Sequence, residues 1–336
     1  MFLSRVLLPI RWASLALSAL LCGALSVLYI LRPDGFAAIT INPVWVWLAP
    51  GLFLILLGWR MSTKRIGLVV FLMWVLFIGL LGDEPRSLIR SGTWPDPEWR
   101  DARASGRALR VVSLNCAAGS AEAAAEVISY EPDIVLLQES PSRSEVERLG
   151  ERLFGDEAAV VWGADPALIV RGEVLETYIP RESFFVRARV RLKSGLEVEV
   201  ISTRLTPPIM RQDLWSPECW RAHRENREIR REQMRLIAEQ VDSVSEGVPI
   251  IAGGDFNAPA GDAVFRLLRP RLRDSFKEAG KGWGNTMINR IPFHRIDQVW
   301  ISDAFRASAV VARKTEHSDH RMVVCDLFER EGVRTK

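Results

Sequence analysis

Residues 1–82 almost lack acidic side chains. They hold one, Asp34, against six basic residues, Arg5, Arg11, Arg32, Arg60, Lys64 and Arg65, which leaves a formal charge of +5. The whole chain carries +3, so residues 83–336 hold 38 basic and 40 acidic side chains, or −2. Because non-specific DNA binding rests on cationic contacts with phosphates, this near-neutral remainder argues against a uniformly basic nucleic-acid-binding protein.

Cysteine is also scarce. The chain has four cysteines, Cys22, Cys116, Cys219 and Cys325, without a C-x-x-C pair. They are too few for a disulfide framework, and their spacing does not suit a zinc site. The sequence also lacks G-x-S-x-G, so nothing indicates the serine nucleophile of an α/β-hydrolase.

The N-terminal part of the chain contains three long apolar stretches. They cover about residues 12–31, 43–59 and 66–82, and tryptophans cluster near their ends, as at membrane interfaces. The first stretch is long enough to span hydrocarbon, and the other two lie at the short end of the spanning range. No A-x-A cleavage pattern follows the first stretch, which disfavours a secretory signal. We therefore predict a transmembrane domain of three helices over residues 1–82.

The distribution of cations predicts the orientation of this domain. With three spans, the N-terminus and the link at residues 60–65 share one side, and this side carries most of the arginine and lysine. The positive-inside rule places that side in the cytoplasm and residues 83–336 outside. Residues 83–109, which mix proline, glycine and charges, predict a linker along the membrane surface.

The remainder, residues 110–330, alternates strands with helices. Strands are predicted at 110–116, 133–139, 184–192, 197–205, 248–255, 295–302, 307–313 and 321–328, and helices at 121–129 and 226–244. This order favours an α/β sandwich of two packed sheets with outer helices.

Polar side chains stand where these predicted strands begin or end. They are Asn115, Glu139, Asp255, Asn257, Asp297, Asp319 and His320. Strand ends are where open α/β sheets place ligands, so a set of this size predicts one converging site. Carboxylate and amide oxygens suit Mg²⁺ or Mn²⁺, which also binds phosphate.

The strings LN, QE, GGDFN, RIDQV and SDH follow in that order between about residues 108 and 330. This ordered set resembles the endonuclease/exonuclease/phosphatase superfamily, whose fold is DNase I-like. The resemblance implies a four-layer α/β sandwich with two packed mixed sheets, and a metal-dependent hydrolase of phosphoester or pyrophosphate bonds.

The same resemblance implies a role for each site residue. Asn115, Glu139 and Asp319 would hold Mg²⁺ or Mn²⁺. Asp255 would orient or activate the attacking water, and Asn257 would contact the phosphate. His320 would bind the phosphoryl oxygen and stabilise the developing charge, and Asp297 would orient a catalytic histidine or its neighbours.

One position departs from the family pattern. Many members have a histidine in a T-H-L strand end, whereas this chain reads ISTRLTPP with Arg204 at that place. Arginine is always cationic and holds phosphate bidentately, but it does not shuttle protons. Arg204 either stabilises transition-state charge in an active enzyme or marks a weakened or specialised site. We favour the first, because every other family residue is present.

Two segments are candidates for contact with the substrate. Residues 205–233 combine Arg211, Trp215 and Trp220, a mix that suits a lipid headgroup or an anionic chain. The alternative is a solvated helix face with tryptophans packed on the domain. The glycine-rich stretch 280–290 is either a substrate-facing loop, with Thr286 as a polar contact, or a plain hairpin.

The architecture is similar to bacterial membrane-anchored members of the superfamily, some of which are associated with glycopeptide-antibiotic resistance and proposed to act on polyprenyl pyrophosphate carriers. The resemblance implies a multi-pass protein of the bacterial cytoplasmic (inner) membrane, with its catalytic domain on the outer, periplasmic side. Its partners would be the lipid membrane and a phosphorylated lipid; nucleic acid is the less favoured substrate, and no protein partner is inferred.

Two alternatives stay open at this point. One is a surface-exposed metal-dependent nuclease acting on DNA, and the other is a non-catalytic membrane-bound binding module in which Arg204 marks lost activity. The sequence also leaves open whether the bond is a monoester, a diester or a pyrophosphate, and whether one metal ion or two take part.

Overall fold

A computed structural model describes residues 2–60, 62–90 and 93–330. The chain divides into two compact units. The first comprises Met1–Arg86 with Arg211–Arg224, and the second comprises Ser87–Met210 with Glu225–Lys336. The helices are α1 (Phe2–Leu31), α2 (Ala37–Thr40), α3 (Leu48–Gly58), α4 (Lys64–Leu81), α5 (Glu84–Ile89), α6 (Pro97–Ala104), α7 (Ala121–Ala125), α8 (Arg143–Phe154), α9 (Pro217–Asp242) and α10 (Ser275–Ala279).

The first unit contains the apolar helices. In the part of the chain that the structure describes, Leu8–Leu31 and Lys64–Leu81 are each long and apolar enough to cross a membrane. A third span forms only if Asp34–Thr40 and Val44–Gly58, which meet at a 75° bend, count as one. The predicted helix at 43–59 is thus shorter than expected. Pro43 lacks an N–H and disfavours helix in the residue before it, and α3 begins at Leu48 after a short 3₁₀ turn.

A short polar chain lies inside these helices. The buried Trp74 indole donates to the Ser18 hydroxyl at 3.1 Å, and that hydroxyl donates to the Gly51 carbonyl at 2.9 Å. A Cβ on Gly51 would lie 2.2 Å from the Trp74 ring, so only glycine permits this approach. The contacts satisfy the buried polar atoms and join α1, α3 and α4.

The second unit holds the strands. They are β1 (Ala108–Asn115), β2 (Ile134–Gln138), β3 (Ala158–Trp162), β4 (Ala167–Tyr178), β5 (Phe185–Leu192), β6 (Glu197–Arg204), β7 (Ile250–Asp255), β8 (Arg273–Asp274), β9 (Asp297–Ile301), β10 (Phe305–Arg313) and β11 (Met322–Glu329). Eight of them match the predicted strands. The sequence did not predict β3, β4 or β8.

The two predicted sheets are joined into one curled, mixed sheet. Within the described residues it has 11 strands in the order β10-β11-β1-β2-β4-β5-β6-β7-β9-β8, with β3 beside β4. The long strand β4 makes the join, because residues 167–170 pair with β2 whereas residues 172–178 pair with β5. Val111 and Ile134 share a buried core with Val186 and Val200, so the two halves of the sheet pack face to face. The α/β class is confirmed, but the sheets are not separate.

The stretch predicted as a linker contains α5 and α6. Trp99 on α6 is buried and its indole donates to the Leu327 carbonyl at 3.2 Å. The Arg110 guanidinium lies over the Trp99 ring at 4.5 Å and pairs with the buried Asp326 at 2.6 Å. Residues 97–104 are therefore packed into the second unit rather than extended as a linker.

Candidate active site

Four strand ends bring the polar residues together. Strands β1 and β2 are parallel, as are β6 and β7, so the carboxyl ends within each pair lie side by side. Asn115 ends β1 and Glu139 follows β2, while Arg204 and Asp255 end β6 and β7. Strand β9 runs antiparallel to β7 with Asp297 directly opposite Asp255. The register of the sheet thus brings these five residues, all of them singled out in the sequence, to one region of the sheet.

The Asn115 amide connects the two halves of the sheet at this point. Its Nδ2 donates to Glu139 Oε1 and to Asp255 Oδ2, both at 3.1 Å. Its Oδ1 accepts the Ala117 N–H at 3.0 Å, and the next amide, that of Ala118, donates to Glu139 Oε2 at 2.6 Å. Both Glu139 oxygens therefore have donors, which fixes the orientation of the carboxylate.

Asp297 orients His320. The His320 Nδ1 lies 2.9 Å from Asp297 Oδ2, and both side chains are buried. Burial alone would lower the pKa of His320, but Asp297, with help from Asp255 and Asp319, outweighs it and raises the pKa to about 10. His320 is therefore a cation at neutral pH, and Nε2 is the ring nitrogen left for a phosphoryl oxygen.

Asp255 is a buried carboxyl beside this pair. Burial first, and then the neighbouring charge of Asp297, raise the pKa of Asp255 to about 7. Its Oδ1 accepts the Asn257 N–H at 2.9 Å, while the Asn257 amide Nδ2 donates to the Leu205 carbonyl at 2.8 Å. A carboxyl with a pKa near neutrality is suited to take a proton from water.

Arg204 contacts two carboxylates. Its Nη2 lies 2.7 Å from Glu139 Oε1, and its Nη1 lies 2.9 Å from Asp165 Oδ2. Asp165 Oδ1 also accepts the Glu139 N–H at 2.9 Å. Burial alone would raise the pKa of Glu139, but hydrogen bonds from Ala118 and Asn115 and the charge of Arg204 outweigh it, so the pKa is lowered.

Asp165 is a site residue that the sequence analysis missed. It lies between β3 and β4, two strands that were not predicted, so no strand end drew attention to it. The only local signal is an aspartate before a proline in GADP, which indicates a turn rather than a site.

The four residues predicted to contact the substrate do not lie together in the structure. Thr286 is fully buried, and its hydroxyl faces the Asp297 amide at 3.3 Å, so it supports the start of β9. Arg211, Trp215 and Trp220 belong to the first unit. The Arg211 guanidinium pairs with Asp213 at 2.5 Å, the Trp220 ring packs edge-on against Phe36 at 5.7 Å, and Trp215 is 87% exposed.

Comparison with known proteins agrees with this geometry. Residues 112–320 match the model of the Endonuclease/Exonuclease/phosphatase family. The chain belongs to this family. No curated protein matches the sequence. The predicted family is thereby confirmed, and the fold is the DNase I-like α/β fold of its members.

Solved structures show the same fold at low sequence identity. An endonuclease/exonuclease/phosphatase from Bacteroides vulgatus is 16% identical with a TM-score of 0.53, covering 66% of this chain and 99% of its own. A humanized D. rerio TDP2 is 18% identical with a TM-score of 0.51, covering 66% and 99%. A Bacteroides thetaiotaomicron mannosyl-6-phosphatase is 16% identical with a TM-score of 0.50, covering 65% and 99%.

Members of this family hydrolyse phosphoester bonds and are typically dependent on a divalent metal, and the site fits such an ion. Carboxylate oxygens of Asp255 and Asp297 lie within 4.8 Å of one another. Asp297 Oδ1 is buried without a hydrogen-bond donor, which is costly unless a cation completes the site. Asn115 and Glu139 adjoin Asp255, and the exposed Asp319 carboxylate precedes His320. A divalent ion here would polarise the phosphoryl group and neutralise charge on its oxygens.

We expect Arg204→Gln to separate two effects of this arginine. The guanidinium contacts Glu139 Oε1, an oxygen for which it would compete with a bound metal ion, so its removal should strengthen Mg²⁺ binding by several fold. Loss of a cation near the phosphate should lower kcat by about 10-fold to 100-fold. Calorimetric Mg²⁺ titration and steady-state kinetics measure the two separately.

Arg204→Lys is the matched control, because it keeps the charge without the bidentate geometry, and it should fall between wild type and Arg204→Gln in both measurements. Unchanged Mg²⁺ affinity in Arg204→Gln would contradict the competition.

Proposed function

We propose that this protein is a membrane-anchored, divalent-metal-dependent hydrolase of a phosphorylated lipid or a polyprenyl pyrophosphate, acting at the outer face of the cytoplasmic membrane. One observation carries the proposal. The same chain holds a phosphoester-hydrolase site and helices apolar enough to cross a membrane. An enzyme confined to a membrane meets lipid phosphates at a far higher local concentration than soluble ones.

The residues of the site divide the chemistry of phosphoryl transfer among them. The reaction needs an in-line water and cations on the equatorial oxygens of the phosphoryl group. Asp255, with its pKa near 7, accepts a proton from the attacking water. The His320 imidazolium and the Arg204 guanidinium stabilise negative charge on the phosphoryl oxygens. Asp297 and Asp165 position these two cations.

The experiment uses the full-length protein in lipid nanodiscs with Mg²⁺. Phosphate release is measured from a polyprenyl pyrophosphate, a polyprenyl monophosphate and phosphatidic acid, and plasmid nicking at low salt is measured in parallel. We expect release from a lipid substrate that EDTA abolishes, with the plasmid left intact. Plasmid nicking without lipid hydrolysis would favour the nuclease alternative, and inactivity on every substrate would favour a binding module.

The side of the membrane depends on the number of spans. With the N-terminus in the cytoplasm, three spans place the second unit outside, whereas two spans place it inside. A C-terminal alkaline phosphatase fusion, which is active only outside the cytoplasm, tests this directly. We expect an active fusion, which requires that residues 34–58 cross the membrane, and an inactive one would contradict the outer location.

A further inference from the structure

A groove of about 550 Å³ lies beside Asp319 on the second unit. Residues 288–290 form one wall, and residues 314–319 form the other. Asp319 itself lines the groove, so the groove adjoins the segment that carries His320.

The two walls are held together by one buried side chain. The Asn289 amide donates to the Thr315 carbonyl at 2.7 Å and to the Ser318 carbonyl at 2.8 Å, and its oxygen accepts the Thr315 N–H at 3.3 Å. The Asn289 N–H also donates to the Asp319 carbonyl at 2.6 Å. The groove is therefore preorganised, and hydrogen bonds connect its walls to the segment that carries Asp319.

Two cations flank this clamp. Arg290 directly follows Asn289, and Lys314 directly precedes Thr315; both side chains are exposed and line the groove. Among the residues that the structure describes, neither has an ion-pair partner. Arg204, in contrast, already contacts two carboxylates. The groove also holds Glu316, while the His317 ring is turned to Glu126 at 3.2 Å.

An apolar surface adjoins these cations. Ile288 lines the groove and is 53% exposed, and Ile291, on the same loop, is 79% exposed. Exposed isoleucines next to unpaired cations suit a ligand with an anionic group joined to an apolar chain.

We propose that this groove binds the lipid-proximal phosphate of a lipid pyrophosphate, with Arg290 and Lys314 as its ligands and Ile288 against the chain. The proposal rests on the proposed function and narrows its substrate class to pyrophosphates. A monophosphate at the catalytic site would leave both cations without a phosphate, whereas a pyrophosphate supplies a second phosphate one bridging oxygen away.

The corresponding reaction is balanced within the site. Water oxygen bonds to the terminal phosphorus, and the bond from that phosphorus to the bridging oxygen breaks. A proton of the water passes to Asp255. The bridging oxygen leaves with the electron pair on the lipid monophosphate, where Arg290 and Lys314 offset its charge, and inorganic phosphate is the other product.

The test compares the double variant Arg290→Gln/Lys314→Gln with Arg181→Gln/Arg269→Gln, which removes two exposed cations outside the groove. Full-length proteins in nanodiscs act on a C15 prenyl pyrophosphate and on the C15 prenyl monophosphate. We expect the groove variant to raise KM for the pyrophosphate by about 10-fold to 100-fold and to leave KM for the monophosphate within about twofold. The control variant should change neither.

An equal change for both substrates, or none for the pyrophosphate, would overturn the proposal. If wild type hydrolyses neither lipid, the proposed function fails, and binding of inorganic pyrophosphate then tests the groove by calorimetry in metal-free buffer. Binding by wild type and the control variant, weakened at least about 10-fold in the groove variant, supports the groove. Equal binding by all three overturns it.

Discussion

Asp255→Asn is expected to lower kcat by about 10²-fold to 10⁴-fold, the range over which positioned general bases contribute. The carboxyl is buried, faces Asp297 across β7 and β9, and has a pKa near 7. An amide of the same shape keeps the hydrogen bond from the Asn257 N–H. It loses the one from the Asn115 amide and does not accept a proton. Steady-state phosphate release at saturating Mg²⁺ measures the loss.

The same variant should have a stability close to that of wild type. Two buried carboxylates lie side by side at this point, and removing one charge relieves their repulsion, which offsets the lost hydrogen bond from the Asn115 amide. We expect a thermal midpoint close to that of wild type, which separates a catalytic loss from a folding defect. Asp156→Asn, an exposed position, is the matched control and should change neither property. More than a tenth of wild-type activity in Asp255→Asn would contradict a general-base role.

Asp297→Asn is expected to make activity depend on pH in the neutral range. In wild type, Asp297 outweighs the effect of burial and holds the pKa of His320 at about 10, so the imidazolium persists through neutral pH. Without that carboxylate, only Asp255 and Asp319 oppose the effect of burial, so the pKa of His320 falls toward the ordinary value of about 6.5. The charged form is then lost as pH rises, so at pH 8 we expect a fall in kcat of about 100-fold, and a smaller fall at pH 6.

His320→Gln is the reference for this experiment, because it has no titrating ring at that position. Its activity should be low at both pH values, without the alkaline loss. If Asp297→Asn loses activity by the same factor at pH 6 and pH 8, the role of Asp297 does not depend on the charge of His320. The kcat profiles of the three proteins between pH 5.5 and 9 decide between these outcomes.

The strand ends explain why so much of the site could be predicted. Asn115, Asp255 and Asp297 each terminate or begin a strand of near-continuous apolar residues, and the contrast is visible in the sequence. Eight strands were predicted for the same reason. Strand β4 was not, because its first half is buried and its second half is largely exposed, so neither a continuous apolar run nor a regular alternation marks it.

The missed strands account for the missed residue. Asp165 lies in the turn that joins β3 to β4, and it reaches Arg204 only because β4 joins the two halves of the sheet. Trp99 is similar: in the sequence it stands among prolines and charges, and its burial depends on β1 and β11. Contacts of this kind join residues far apart in the chain, and no local pattern contains them.

The sequence by itself determined the family, the α/β class, the polar strand ends and the apolar N-terminal helices. Each of these follows from local hydrophobic periodicity or from short motifs in a fixed order along the chain. Only the tertiary structure decided what Arg204 contacts, that Thr286 is buried, and that Arg290 and Lys314 flank a groove beside Asp319. Those facts depend on the register of the curled sheet and on the hydrogen bonds of Asn289. Both bring together segments that are far apart in the chain, so no local sequence pattern reveals them.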